Sequence, residues 1–340
     1  MHDLFWQKIA DTSIIRYMHV VLEILYFFFI TVVLCLSVMI PYIFRFFNPT
    51  KYTPGKTNLD EIWNMGETIT CDVVKDKMIV KVPAGFNGSL PFKIFTHGFN
   101  DKLMKKDVLE IVNVWMKAES RKANLILFQW DDLVNWLDSN NYDKAASNAI
   151  ATGEYFGHCL AQLSKNEGIY GGKVHLVGHS LGAHLMGKAG RIFKQETQVS
   201  ISRITGLDPA GPRFIDGPVM KAIPKLYRNR ISKESANFVD IIHTDGAEKP
   251  AAAWVPPHFG DFHALGHADY YPAGGHGDQP GCSMIGCSHG RSIRYFLHSV
   301  KEPSLFPCWE CSSPWACRNK PNGEASPGIF MGAPAQVCII

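Results

Sequence analysis

Short apolar runs alternate with segments of helical periodicity along most of the chain. Six runs dominated by Val, Ile, Leu and Phe predict strands: Lys77–Val82, Phe92–His97, Asn124–Trp130, Lys173–Val177, Ile201–Gly206 and Phe238–His243. Apolar positions three and four residues apart predict helices at Lys105–Ser120, Lys144–Leu163, Leu181–Phe193 and Ser292–Val300. Because strands that alternate with helices form βαβ units, we predict an α/β fold with a mainly parallel sheet covered on both faces.

Two features of this pattern bear on the position of a functional site. The predicted helix Lys144–Leu163 has an apolar face of mostly small residues, which permits close packing on the sheet. Between Gly246 and Leu265 the alternation gives way to Pro, Gly, Ala and scattered aromatic residues, which predicts a long loop. Catalytic groups of such sheets lie beyond the carboxyl ends of the strands, and long ordered loops are often functional.

The N-terminal part of the chain contains an uncharged apolar stretch, Ile24–Phe44, between Glu23 and Arg45. Its length is sufficient to span a bilayer as a signal anchor. A signal peptide cut after Ser37 is the alternative, and both interpretations direct the chain into the secretory pathway. A buried core helix is a third interpretation. We therefore predict a signal segment at residues 1–45, a connector at 46–69 and the main domain at 70–340.

Composition excludes some classes of partner. The chain has 340 residues, a net charge of +3 and 19% charged residues, with no long basic run, so we expect no nucleic-acid binding. A looser basic group is either an ordinary solvated face or a contact for anionic lipid headgroups or polysaccharide. Its members are Lys221, Lys225, Arg228, Arg230 and Lys233.

The cysteines indicate an oxidising compartment. Five of the nine lie between residues 282 and 317, a crowding typical of a disulfide framework. A zinc site is the competing interpretation, since Cys308 and Cys311 have metal-like spacing, but no second C-x-x-C pair follows. The acceptor sequon Asn87-Gly88-Ser89 fits a lumenal location.

The stretch Gly178-His179-Ser180-Leu181-Gly182 matches the G-x-S-x-G pattern of a nucleophile elbow. The motif alone is weak, because a serine in a tight turn gives the same spacing. Its context strengthens it, since a predicted strand leads in and a helix rich in small residues leads out. A Cβ at Gly178 or Gly182 would collide with backbone in so sharp a turn. Ser180 is therefore the candidate nucleophile.

A nucleophilic serine needs a base and an acid that orients the base. Asp208 follows the predicted strand Ile201–Gly206, where an orienting carboxylate is expected, although a turn aspartate is the alternative. Among the fourteen histidines, His289 lies beside a cysteine and just before a predicted helix, in the expected order after Asp208. A looser histidine group could instead suggest a metal site, without nearby Cys ligands: His258, His263, His267 and His276.

The oxyanion that forms during acyl transfer needs preorganised N–H donors. Leu181 follows the nucleophile and supplies one backbone N–H. The turn after the strand Phe92–His97 supplies the second donor, and Phe99 is the candidate.

Six separate motifs together resemble the pancreatic-lipase family of animal lipases and phospholipases A1. They are "FTHGFND", "VHLVGHSLGAHLMGKAGR", "GLDPAGPRF", "FVDIIHTDG", "GHADYYPAGG" and "CSHGRS", and the resemblance covers roughly residues 70 to 330. It implies an α/β-hydrolase fold, a triad of Ser180, Asp208 and His289, and oxyanion donors on the backbones of Phe99 and Leu181. These are the residues that the patterns indicate.

Departures from the family pattern indicate which type of member this chain resembles. Members with a structural calcium ion carry aspartates where this chain has Ser232 and Ser235, so we predict no metal and no cofactor. The disulfide-closed lid of the family matches Cys282 to Cys287, and four residues between cysteines cannot form a helical lid. Such a short lid resembles the phospholipase A1 or esterase type. The chain ends soon after the last motif, so we expect a single catalytic domain without the family's C-terminal β-sandwich.

The expected function is hydrolysis of lipid acyl esters by a secreted or membrane-anchored enzyme in transient contact with lipid surfaces. Aromatic and apolar residues of the loop Gly246–Leu265 either line an acyl groove or pack on the sheet: Trp254, Val255, Phe259 and Phe262. A triacylglycerol lipase is one alternative. A catalytically inactive lipid-binding or yolk-type protein is another, although such relatives lose the serine that this chain retains.

Overall fold

The computed structural model describes the residues on which the following account rests: 58–62, 67–74, 77–81, 87–99, 114, 123–128, 130, 142–215, 226, 228–246, 258–311 and 328–335. All of them belong to one compact unit, Lys56–Ile340. The signal segment predicted at residues 1–45 lies outside them, as does the predicted helix Lys105–Ser120 apart from Val114. Within the described ranges, no helix combines the length and the apolar character needed to cross a membrane.

In the described part of the chain, nine strands form one sheet. They are β1 Asn58–Ile62, β2 Glu67–Val74, β3 Lys77–Lys81, β4 Phe92–Thr96, β5 Asn124–Phe128, β6 Val174–His179, β7 Arg203–Leu207, β8 Phe238–Ile242 and β9 Ala268–Tyr270. Their order is β3-β2-β1-β5-β4-β6-β7-β8-β9. The pairs from β5 to β9 are parallel, whereas β1 pairs antiparallel with β2 and β5, and β2 pairs antiparallel with β3.

Three long helices are described: α1 Tyr142–Glu167, α2 Leu181–Thr197 and α3 Cys287–Lys301. Short 3₁₀ turns occur at Gly171–Lys173, Lys233–Ser235 and Pro272–Gly275. The small-residue face of α1 packs against α2: an added Cβ at Gly157 would lie 2.6 Å from the Cβ of Ile192. The small residues thus allow two helices on the same face of the sheet to approach closely.

Successive side chains of the central strands enter two separate apolar cores. Ile94 packs in the core that contains α1 and α2 residues, and the next residue, Phe95, packs in the core of Phe296 on α3. This alternation follows from the two-residue period of a strand. Both faces of the parallel part are therefore covered, as the residue pattern predicts, and the fold is that of an α/β-hydrolase, as the resemblance implies.

All six predicted strands and three of the predicted helices are present, with small differences at their ends. Three strands were not predicted. β1 and β2 carry polar residues and pair antiparallel, so they lack the apolar runs of buried parallel strands, and β9 has only three residues. β1 lies inside the segment predicted as a connector, so the sheet begins before residue 70. α3 begins at Cys287 rather than Ser292, which places His289 in its first turn.

Candidate active site

Ser180 occupies the sharp turn between β6 and α2. Its φ of 56° and ψ of −122° lie in a region that residues with a Cβ rarely adopt. The turn closes because two flanking positions have no side chain: an added Cβ at Gly178 would lie 2.3 Å from the carbonyl oxygen of Gly182, and one at Gly182 would lie 2.5 Å from that of His97. This strained strand-turn-helix geometry is that of a nucleophile elbow.

Asp208 and His289 form a hydrogen-bonded pair beyond the carboxyl ends of the strands. Nδ1 of His289 donates a hydrogen bond to Oδ2 of Asp208 over 2.6 Å, and the Asp208 side chain has no exposed surface. The other oxygen, Oδ1, accepts the backbone N–H groups of Thr244 at 2.7 Å and Asp245 at 3.0 Å. The carboxylate is thus fixed by the loop after β8 and directed at the imidazole.

His179, the residue before Ser180, connects the elbow to the helix that carries His289. Its Nε2 lies 3.2 Å from the His289 carbonyl oxygen, and the two rings are 4.6 Å apart. On another side, the ring of Phe259 lies 5.6 Å from that of His289. These contacts bring the elbow of Ser180 and the Asp208–His289 pair into one site.

Asp245 is a second buried carboxylate at this site. Its oxygen lies within 4.8 Å of ligand atoms of both Asp208 and His289. Oδ2 accepts the N–H of Phe259 at 3.0 Å. Burial and the charge of Asp208 raise the pKa of Asp245 to about 6. The motif "FVDIIHTDG" contains this residue, and its place after a predicted strand was a signal for a further carboxylate at the site.

The turn after β4 lies directly against the nucleophile. An added Cβ at Gly98 would lie 2.5 Å from the Cβ of Ser180. The turn is held by Trp130, whose Nε1–H donates to the His97 carbonyl over 3.1 Å, and the Phe99 ring packs edge-on against Tyr142. Leu181 is fully buried at the first position of α2. Both predicted oxyanion donors therefore belong to backbone adjoining Ser180.

A disulfide joins Cys282 and Cys287, five positions apart, as the resemblance implies. The short loop that it closes presents Met284 and Ile285 to solvent, with 78% and 71% of their surfaces exposed. α3, which carries His289, begins at the second of these cysteines. An exposed apolar loop is therefore tied covalently beside the catalytic histidine candidate.

The positions matching the family's calcium ligands do not fit that ion. Ser232 and Ser235 offer hydroxyls instead of carboxylates. The nearby oxygens already serve a guanidinium: Arg191 donates to the carbonyls of Asn229 at 2.7 Å and Arg230 at 3.0 Å, and to Oγ of Ser235 at 2.8 Å. The guanidinium of Arg191 thus takes up three hydrogen-bond acceptors of this loop.

The other metal interpretations find no support in the described residues. Cys311 is part of a disulfide, which removes it as a zinc ligand. The four histidines of the looser group have different neighbours: His258 approaches Asp245, His263 approaches Asp261, His267 accepts the N–H of Val239, and His276 stacks on Phe262.

The aromatic and apolar residues predicted for the acyl groove have different surroundings. Phe262 is 6% exposed, stacks on His276 and packs edge-on against Tyr271, so it packs on the fold. Phe259 lies in the candidate active site, with its ring 5.6 Å from that of His289. Trp254 and Val255 lie outside the described residues.

Comparisons with known proteins find similar lipases. The family model described as Lipase matches residues 62–320. The hepatic triacylglycerol lipase of Oryctolagus cuniculus is 32% identical over 248 residues, which cover 67% of this chain and 46% of that protein. The pancreatic triacylglycerol lipase of Myocastor coypus is 31% identical, with 65% and 48% covered, and pancreatic lipase-related protein 2 of Cavia porcellus is 32% identical, with 68% and 48% covered. The chain spans about half the length of these relatives.

Proposed function

Because the chain belongs to the lipase family that includes the pancreatic and hepatic triacylglycerol lipases, we propose that it is a carboxylic-ester hydrolase acting on acyl esters of lipids. The observation that carries the proposal is the strained Ser180 elbow beside an Asp208–His289 pair with a 2.6 Å hydrogen bond. This combination is what nucleophilic acyl transfer requires.

The residues take the following roles in the proposed mechanism. Oγ of Ser180 attacks the ester carbonyl carbon while His289 accepts its proton, and Asp208 orients the imidazole and stabilises the imidazolium. The N–H groups of Phe99 and Leu181 stabilise the oxyanion. His289 then protonates the leaving alcohol, and a water molecule activated by the same imidazole hydrolyses the acyl-enzyme. No metal or cofactor takes part in these steps.

Within this class we propose a phospholipase A1-type preference. The loop between Cys282 and Cys287 is too short to cover the site as a helix, and its exposed Met284 and Ile285 suit transient contact with a lipid surface. A triacylglycerol lipase is the second candidate, favoured by the names of the similar relatives.

These assignments are tested by measuring whether purified protein hydrolyses dipalmitoyl phosphatidylcholine vesicles, triolein and a soluble short-chain ester. Release of fatty acid from dipalmitoyl phosphatidylcholine vesicles in excess over triolein supports the phospholipase, and the reverse order supports the lipase. Ser180→Ala is expected to lower turnover of a short-chain ester by at least about 10³-fold with an unchanged thermal unfolding midpoint. An active Ser180→Ala protein refutes the triad. Wild-type protein that binds vesicles but hydrolyses none of the three substrates supports the inactive lipid-binding alternative.

We further propose that the domain works on the lumenal or extracellular side of the secretory pathway. The described disulfide, the bonded Cys159 and Cys311, and the exposed sequon at Asn87 support this location. The sequon turn precedes the amino end of β4, whereas Ser180 lies at the carboxyl end of the neighbouring β6, so a glycan there stays away from the substrate. Expression in animal cells is expected to give endoglycosidase-sensitive protein in the medium, and sensitivity is lost in Asn87→Gln but retained in Ser89→Thr. Unmodified cytosolic wild-type protein contradicts the proposal.

A further inference from the structure

Three histidines of the described core, His97, His184 and His243, have no exposed surface, and the atoms around the rings of the last two differ. In His184, Nε2 lies 2.8 Å from the Ala210 carbonyl oxygen and donates to it, while Nδ1 accepts the N–H of Ile231 over 3.2 Å. One nitrogen donates and the other accepts, which is the pattern of a neutral imidazole. Burial accordingly lowers the pKa of His184 to about 4.

His243, at the end of β8, has acceptors at both ring nitrogens. Nδ1 lies 2.6 Å from the Asp261 carbonyl oxygen, and Nε2 lies 2.9 Å from Oδ1 of Asp269. Asp269 is held as a carboxylate, because its two oxygens also accept the N–H groups of Leu265 and Gly266 at 2.9 Å each. Both hydrogen bonds of His243 can form only if both ring nitrogens carry protons, so the ring is an imidazolium.

The charges around His243 agree with this assignment. Burial alone lowers the pKa of His243, but the hydrogen bond and charge of Asp269, the Asp261 carbonyl and the charge of Asp208 outweigh it and raise the pKa. The His243 ring also stacks on Tyr271, with the ring centroids 4.5 Å apart. The carboxylate of Asp261 itself faces away toward Arg230 and His263.

The backbone of His243 continues directly into the cradle of the catalytic acid candidate. Its N–H donates to the Tyr270 carbonyl over 2.8 Å, which ties the residue to β9. The next two N–H groups, of Thr244 and Asp245, are those that hold Oδ1 of Asp208. A shift of the His243 ring therefore displaces the two donors that orient Asp208.

We propose that His243 is a positioning residue for the esterase reaction: a buried imidazolium, anchored by Asp269, that holds the Thr244–Asp245 cradle in which Asp208 sits. The positive charge lies among carboxylates that would otherwise repel one another, since Asp208 and Asp245 share the site beside it. Its role in catalysis rests on the proposed function, whereas the charge state of the ring does not.

The catalytic part is tested by the pH dependence of kcat/KM in His243→Gln, which removes the charge but retains a hydrogen-bond donor. The active site loses a neighbouring positive charge, so protonation of its base is expected to become easier and the acidic limb of the profile to move to higher pH by about one unit. Below the limb this equals about a tenfold loss of kcat/KM. His184→Gln is the matched control, an equally buried but neutral histidine, and its limb is expected to stay in place. A His243→Gln limb at the wild-type pH, or an equal shift in both variants, overturns the positioning role.

The charge state is tested separately by ¹⁵N NMR of histidine-labelled wild-type protein. At about pH 8, well above the ordinary histidine pKa of about 6.5, one ring is expected to keep two protonated nitrogens. That signal is lost in Asp269→Asn, which removes the carboxylate partner without touching the ring. Wild-type spectra with only neutral histidines at this pH overturn the proposal. Because this measurement needs no substrate, it distinguishes failure of the proposal from failure of the proposed esterase function.

Discussion

Gly98→Ala places a methyl group against the nucleophile and tests whether the site depends on the contact between the turn after β4 and Ser180. The added Cβ would lie 2.5 Å from the Cβ of Ser180, 3.1 Å from the His179 carbonyl oxygen and 3.2 Å from Oγ of Ser180. Ordinary contact begins at 3.4 Å, so either the serine or the turn must move by about 1 Å. Misplacement of this size costs about 10²-fold in rate, or about 2.7 kcal/mol of transition-state stabilisation.

The assay is kcat/KM on a soluble short-chain ester, measured together with the thermal unfolding midpoint. Gly290→Ala is the matched control, because Gly290 adjoins His289 in α3 and an added Cβ there meets nothing within 4 Å. It is expected to keep wild-type kcat/KM and to gain about 0.5–1 kcal/mol of stability from the better helix former. The reasoning is refuted if Gly98→Ala stays within twofold of wild type, or if Gly290→Ala loses as much activity.

Two further predictions concern charge and stability. The pKa of Asp245 is raised to about 6 in the folded protein, so the native state binds the carboxyl proton more tightly than the unfolded chain does. Wild type therefore loses stability as pH rises from the ordinary carboxyl pKa to about 6. Asp245→Asn removes this loss, so its unfolding midpoint relative to wild type is expected to rise over the same interval; a constant difference contradicts the raised pKa. Addition of calcium or EDTA is expected to leave the thermal unfolding midpoint of wild type unchanged. Arg191→Met is expected to lower the free energy of unfolding by about 3 kcal/mol, because the carbonyls of Asn229 and Arg230 and Oγ of Ser235 lose their donor. Lys188→Met, which breaks a partly exposed ion pair with Glu154, is the control with a small effect on stability. Stabilisation of wild type by calcium refutes the account.

The sequence by itself determined the α/β class, six strands, the elbow and the order of Ser180, Asp208 and His289. These features are local or nearly so. Apolar runs identify buried parallel strands, and a glycine pair around a serine identifies a turn too sharp for side chains. The order of the three triad candidates along the chain is the one expected for a nucleophile elbow of this fold.

The tertiary structure alone decided what lies around these residues. β1 and β9 escape the pattern because a short polar strand and a three-residue strand carry too few apolar positions to show a period. β2 alternates apolar and polar residues from Ile69 to Val73, but it lacks the continuous apolar run that marks a buried parallel strand. The contacts of Asp245 and His243 with the site join segments that are distant in sequence. The hydrogen bond from Arg191 to Oγ of Ser235 does so as well. A hydrogen-bond partner is set by which strands lie side by side. The charge of His243 therefore depends on Asp269 from β9, and no local pattern distinguishes it from neutral His184.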